Sequence, residues 1–144
     1  MNKANSFIYS FFGLLIFQVS MSMEEILRGF PGYLLTLTGK VHNKIPFFPV
    51  ISISDQTLIF FSLFVIVIFI FIGIAIFLDS SWSKIFAVIL GGIEIINGGL
   101  HILTSLYFMR YIPGSISAIG LIIFGFLVIY IRPSIQREAT EEEK

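Results

Sequence analysis

LIFFSLFVIVIFIFIGIAIFL, residues 58–78, contains no charged side chain. A helix rises about 1.5 Å per residue, so the stretch covers the roughly 30 Å hydrocarbon thickness of a bilayer. Only structures that close their own backbone hydrogen bonds persist there, and a run this long favours a helix over a barrel strand. The rest of the chain is read outward from this span.

The 144 residues are 56% hydrophobic and 12% charged, with formal net charge zero, about half the charge fraction of a soluble domain. The apolar content comes in blocks that predict four spanning helices, at about Ser6 to Met23, Thr57 to Leu78, Lys84 to Met109 and Gly114 to Ile131. The expected fold class is therefore all-α, an integral membrane four-helix bundle, with residues 1–131 as a single transmembrane domain and 132–144 as a polar C-terminal tail. Neutrality argues against a nucleic-acid partner. With no cysteine, disulfides, thiolate nucleophiles and Cys-ligated metal centres are excluded.

The links between spans differ. Asp79-Ser80-Ser81-Trp82-Ser83 is a tight turn whose acidic and hydroxyl side chains suit an N-cap, with Trp82 at the interface. Arg110-Tyr111-Ile112-Pro113-Gly114 separates the last two spans, and Pro113 disfavours helix at Ile112. Ile26 to Gln56 is too polar to span, with Arg28, Lys40, His42 and Lys44, yet it carries Phe47, Phe48, Val50 and Ile51 around two prolines. It is expected to be an interfacial loop or lid lying on the bundle, with His42 exposed. The first apolar run reads either as a signal peptide or as a retained span. Gln18 and Glu24-Glu25 repeat a pattern seen later in the chain and favour retention. Four spans put both termini on one side with Lys3, Lys84, Arg132, Arg137 and Lys144, against Arg28, Lys40, Lys44 and Arg110 on the other. The positive-inside bias thus places both termini in the cytoplasm of a multi-pass cell-membrane protein.

Glu94-x-x-Asn97-x-x-x-His101 interrupts the third span. At 100° per residue these three side chains share one stripe, with Gly91 and Gly98 on nearly the same face. The glycines let a backbone or a ligand approach closely. Ionisable groups inside lipid are costly, so such a stripe points to a functional site. Gln18, Met21 and Glu25 repeat the spacing in the first span, which runs in the same direction as the third. Counting the rise from each start brings Met21 and Glu25 to the depth of His101, with Gln18 and Glu94 deeper. A shared cluster of Glu24 or Glu25 with Asn97 and His101 follows. The structural alternatives are a solvated helix end at Glu24-Glu25, a neutral histidine bonded inside the bundle, and an asparagine joining helices.

Met23-Glu24-Glu25 closing the first span, Glu94-x-x-Asn97 with His101, Tyr111-x-Pro113-Gly114 and Ser117 together resemble the HXXEE family of small bacterial membrane proteins. The resemblance implies the fold and the site positions, and no activity. Met21 stands where the family has its leading histidine, and Ser117 where it tends to have threonine. A His and two Glu from one helix, with Asn and His from another, would make a hard-metal site. With Met21 offering only a thioether, a divalent metal would rest on Glu24, Glu25, Asn97 and His101, or a ligand has been lost.

Three functions fit. The first is acid/base or metal-assisted chemistry on a lipophilic substrate, with Glu94 moving a proton, His101 donating one or binding metal, and Asn97 orienting them. The second is transport or proton relay along Gln18, Glu94, Asn97 and His101. The third is an accessory subunit of a membrane complex. The expected partners are membrane lipid and a lipophilic small molecule. Gly91-Gly92 and Gly98-Gly99 lie inside a helix and lack the context of a dinucleotide loop.

Overall fold

The computed structural model describes residues 3–131, and over those residues the chain forms five helices and no strand. They are α1 (Lys3–Leu27), α2 (Phe30–Lys44), α3 (Asp55–Phe77), α4 (Ser81–Tyr107) and α5 (Ser115–Ile131). By length and composition α1, α3 and α4 can cross a membrane, while α5 is apolar but has 17 residues. The tail expected from Arg132 lies outside the described residues.

Local chemistry explains the helix ends. Ser54 caps α3 by accepting from the Thr57 N–H at 3.1 Å, and Asp55 adds a negative charge to the first turn. Between α3 and α4, Ser80 takes the N-cap position without a side-chain cap bond; Asp79 turns with φ 56° and pairs with Lys84 at 2.7 Å. Helix α1 runs one turn past Met23, so Glu24 and Glu25 lie on the helix and not beyond it.

The segment from Ile26 to Gln56 departs from the expected loop. It holds a fifteen-residue helix, α2. Gly29 ends α1 in the left-handed conformation (φ 67°), and Pro31 sits in the first turn of α2, the Gly-then-Pro punctuation that separates two helices. Leu34, Leu37 and Val41 recur at helical spacing and line the cavities against α4. The basic residues that suggested a loop occupy the other positions of an amphipathic helix. The following stretch is tied back to α2: the Ile51 N–H donates to Thr38 Oγ1 at 3.0 Å, and His42 Nδ1 lies 2.7 Å from the Phe48 carbonyl. His42 thus anchors this stretch.

The four longer apolar helices touch in the cyclic order α1–α3–α4–α5 and back to α1, so α1 and α4 face each other across the middle. Each turns one stripe inward. On α1 it is Phe7, Phe11, Leu14, Gln18 and Met21, and on α4 it is Ala87, Gly91, Glu94, Gly98 and His101. Phe11 stacks on Phe69 of α3 with centroids 5.7 Å apart. The outward faces carry large apolar side chains, such as Phe60, Phe64, Ile96, Leu103 and Phe126.

Helices α4 and α5 approach through glycine. A Cβ on Gly125 would lie 2.7 Å from the Gly91 carbonyl oxygen, and one on Gly98 would lie 2.8 Å from that of Ala118. What these glycines admit is a neighbouring backbone. A Cβ on Gly92 would meet nothing within 4 Å. Gly125→Ala should therefore cost about 1–3 kcal/mol through overpacking, whereas Gly92→Ala should be neutral or gain up to about 1 kcal/mol from helix propensity. Thermal unfolding of the two variants in detergent checks the contrast.

Candidate functional site

Consecutive residues on a helix point about 100° apart, and this separates Glu24 from Glu25. Glu24 turns toward the start of α5. Its Oε2 accepts from the Ser117 N–H at 3.3 Å and from the Ser117 hydroxyl at 3.0 Å, and its Oε1 accepts from the Tyr111 hydroxyl. Ser117 lies in the first turn of α5, where backbone N–H groups lack helical partners and the helix dipole favours a negative charge. Glu24 therefore caps α5 from another helix. The Arg28 guanidinium lies over the Tyr111 ring, 4.9 Å from its centroid.

Glu25 turns toward α4. Its Oε1 lies 3.2 Å from His101 Nε2, with both side chains nearly buried. The other ring nitrogen, Nδ1, is 2.9 Å from the Pro113 carbonyl oxygen. A carbonyl only accepts, so Nδ1 carries a hydrogen and donates it. Nε2 and Glu25 are then two acceptors in contact unless a proton lies between them. Phe30, at the start of α2, stacks on the imidazole with centroids 5.5 Å apart. Gly114 (φ 92°) lies against the ring, and a Cβ there would be 2.9 Å from Nδ1. Close approach and backbone conformation both require glycine at this position.

One turn deeper, Asn97 Nδ2 donates to Glu94 Oε2 at 3.2 Å and weakly to Met21 Sδ at 3.8 Å. Glu94 is 4% exposed and Gln18, across from it on α1, is 7% exposed. Two cavities meet at this ridge, and Asn97 and Leu100 line both. A cleft of about 440 Å³ between α3 and α4 is walled by apolar residues including Phe61, Val65, Ile93 and Ile96, with Gln18, Glu94 and Asn97 as its polar end. A second cavity of about 280 Å³ lies under α2, bounded by Phe30, Tyr33, Leu37, His101 and Ile112.

The structure thus joins Glu25 to His101, Asn97 to Glu94 and Asn97 to Met21. It directs Glu24 elsewhere, and among the described residues no three His, Asp or Glu side chains converge as a metal-holding group. Sequence reasoning did not assign the donors of Glu24, the Pro113 carbonyl behind His101, or Phe30 above it. Tyr111, Pro113, Gly114 and Ser117 stand out in the sequence only through the family resemblance, and nothing local ties them to the end of α1. Phe30 lies in the segment expected as an interfacial loop, where a lone aromatic carries no sign of a contact with His101.

The match to proteins of unknown function with HXXEE motif runs over residues 12–129, from the middle of α1 almost to the end of α5. The chain belongs to the HXXEE family. No curated protein and no solved structure matches it. Glu24 and Glu25, adjacent on α1, take different partners: Glu24 reaches the start of α5 and Glu25 meets His101.

Two outcomes follow. Partial burial and the hydrogen bond to Glu24 push the Tyr111 phenol up from 10.0 to about 12, against the opposing pull of Arg28. Being raised in the fold, it contributes stability that is complete below the unfolded value of 10.0 and is lost as pH climbs toward 12. The phenolate absorbance that Tyr111→Phe removes should appear only near that upper value. For His101, nitrogen NMR on labelled protein should find Nδ1 protonated, and Glu25→Gln should change the Nε2 signal far more than the Nδ1 signal.

Proposed function

We propose that this HXXEE protein is a multi-pass membrane protein that carries out acid/base chemistry on a lipophilic molecule entering sideways from the bilayer. The observation that carries the reading is the α3–α4 cleft. Its walls are apolar, its outer rim is built from exposed residues such as Phe61 and Ile96, and its inner end is the buried carboxylate of Glu94 held by Asn97. Ionisable groups at membrane depth that face a cavity are the usual mark of a working site, and a mostly apolar pocket with few convergent polar groups is the usual form of one.

In this reading α1, α3, α4 and α5 all span. The first helix is retained because Gln18, Met21 and Glu25 belong to the site, and α5 crosses at the short limit of about 17 residues. The charge bias puts both termini in the cytoplasm and the His101 end of the cluster toward the outer leaflet. Two proton carriers lie at different depths. Glu94 borders the lipid-facing cleft, and the Glu25–His101 pair borders the cavity under α2. Their separation along α4 is about 10 Å. Removing a proton at one position of a substrate and returning one at another, as in an isomerisation, uses two such groups. Asn97 stands between the two and fixes the carboxylate of Glu94.

The test compares lipid extracts of cells making the wild-type chain, Glu94→Gln or His101→Ala, using liquid chromatography and mass spectrometry. Wild type should shift the ratio of a lipophilic species and its isomer, and both variants should lose that shift while accumulating and melting as wild type does. Extracts that do not differ, or variants that fail to accumulate, count against chemistry and leave the ridge as scaffolding. Elemental analysis of the same proteins decides whether a divalent metal on Glu24, Glu25, Asn97 and His101 belongs in the scheme; metal present in wild type and absent from His101→Ala would put it there.

A further inference from the structure

We infer that the α3–α4 cleft selects an uncharged lipophilic alcohol, with the hydroxyl held by Gln18 beside Glu94. The inference rests on the lateral-entry reading above and adds the head group. Gln18 lies on the inward stripe of α1, is 93% buried by its 7% exposure, and lines the polar end of the cleft. Among the described residues, no group donates to its buried Oε1. A buried amide oxygen without a donor costs free energy that a suitable ligand recovers. The neighbouring donor, Asn97 Nδ2, is committed to Glu94 and Met21. The acceptor at the polar end of the cleft that has no donor is thus Gln18 Oε1, and a ligand can bring one.

Charge narrows the class. None of the residues lining the cleft is lysine or arginine, and its one ionisable group is a carboxylate. A phosphate or carboxylate head would enter with no counter-charge and would face Glu94. An ammonium head would find a carboxylate, but both ions would leave water for a low-dielectric site, and that penalty offsets much of their attraction. A hydroxyl avoids both costs. It donates once and accepts through two lone pairs, so it can donate to Gln18 Oε1 while accepting from Glu94 whenever that carboxyl carries a proton. The cleft volume of about 440 Å³ is within the roughly 300–1,000 Å³ range of small-molecule sites, and Phe61, Ile93 and Ile96 supply an apolar wall for the chain.

The experiment uses the full-length protein in nanodiscs and a matched series of one apolar chain ending in hydroxyl, methyl, carboxylate or ammonium. Each member competes against a photoactivatable version of the alcohol, and cross-linked peptides are located by mass spectrometry. The alcohol should compete best and label α3 and α4 beside the cleft. Gln18→Leu should reduce its advantage over the methyl-ended chain about fivefold to tenfold, the worth of one hydrogen bond, without lowering the melting temperature. Equal competition by the methyl-ended chain, preference for a charged end, labelling elsewhere, or unchanged selectivity in Gln18→Leu would overturn the assignment. The ligand series run on wild type alone decides the point if that variant does not fold. Hydroxyl selectivity with unaltered lipid extracts would sink the acid/base reading and leave the alcohol site standing. Altered extracts without selectivity would do the reverse.

Discussion

Two adjacent carboxylates at the end of α1 cannot point the same way, and the arrangement of the other helices around the site follows from how each is satisfied. Glu24 reaches the first turn of α5 and takes three donors there, two from Ser117 and one from Tyr111. This fixes the start of α5 and the link before it, and the link places the Pro113 carbonyl behind His101. Glu25, turned about a quarter of the way round the helix, meets the other side of the same imidazole. The histidine is held at both nitrogens by groups that the two glutamates position, one directly and one through the α4–α5 link. An exposed ion pair is worth about 0–1 kcal/mol, whereas breaking a buried one costs about 3–5 kcal/mol because a charge is left uncompensated. Glu25–His101 is nearly buried and belongs toward the second case.

In lipid the hydrophobic effect does not draw helices together, so close packing and polar contacts must. The division of labour around the ridge reflects this. Gly91, Gly98 and Gly125 let the α4 and α5 backbones meet, and Glu24 ties α1 to α5. Helices α3 and α4 have no such glycine contact along the cleft, and there Phe61, Val65, Leu90 and Ile93 leave space between them. The side of the structure that opens is the side without a mechanism for closing.

Much of this was legible in the sequence because period and charge are strong signals. The 58–78 run set the class of fold, and the Glu94–Asn97–His101 spacing gave the inward stripe of α4 that the structure shows. The matching Gln18–Met21–Glu25 spacing gave the level at which α1 meets it. What stayed hidden depended on tertiary geometry. Spacing puts Glu25 on the stripe and Glu24 beside it, and only the position of α5 shows what Glu24 binds. The segment from Ile26 to Gln56 reads from its composition as an interfacial loop or lid, too polar to span, and the helix α2 within it packs Phe30 on His101. The Pro113 carbonyl has no sequence signature, since every residue carries one.

Met21 fills the layer between Gln18 and Glu25 on the inward side of α1. The side chain is 2% exposed, its sulfur lies 3.8 Å from Asn97 Nδ2, and its methyl group is close to Gly114. A thioether is a weak acceptor but a flexible filler, so it keeps the core closed and asks little of Asn97. The stronger acceptor for Asn97 is then Glu94, on its own helix. The ionisable groups therefore divide by depth, with Glu94 at the level of Gln18 and His101 at the level of Glu25, separated by a layer of Met21 and Asn97 that carries no ionisable group. A histidine in that middle layer would add an ionisable group between the two levels. Methionine keeps the two levels apart.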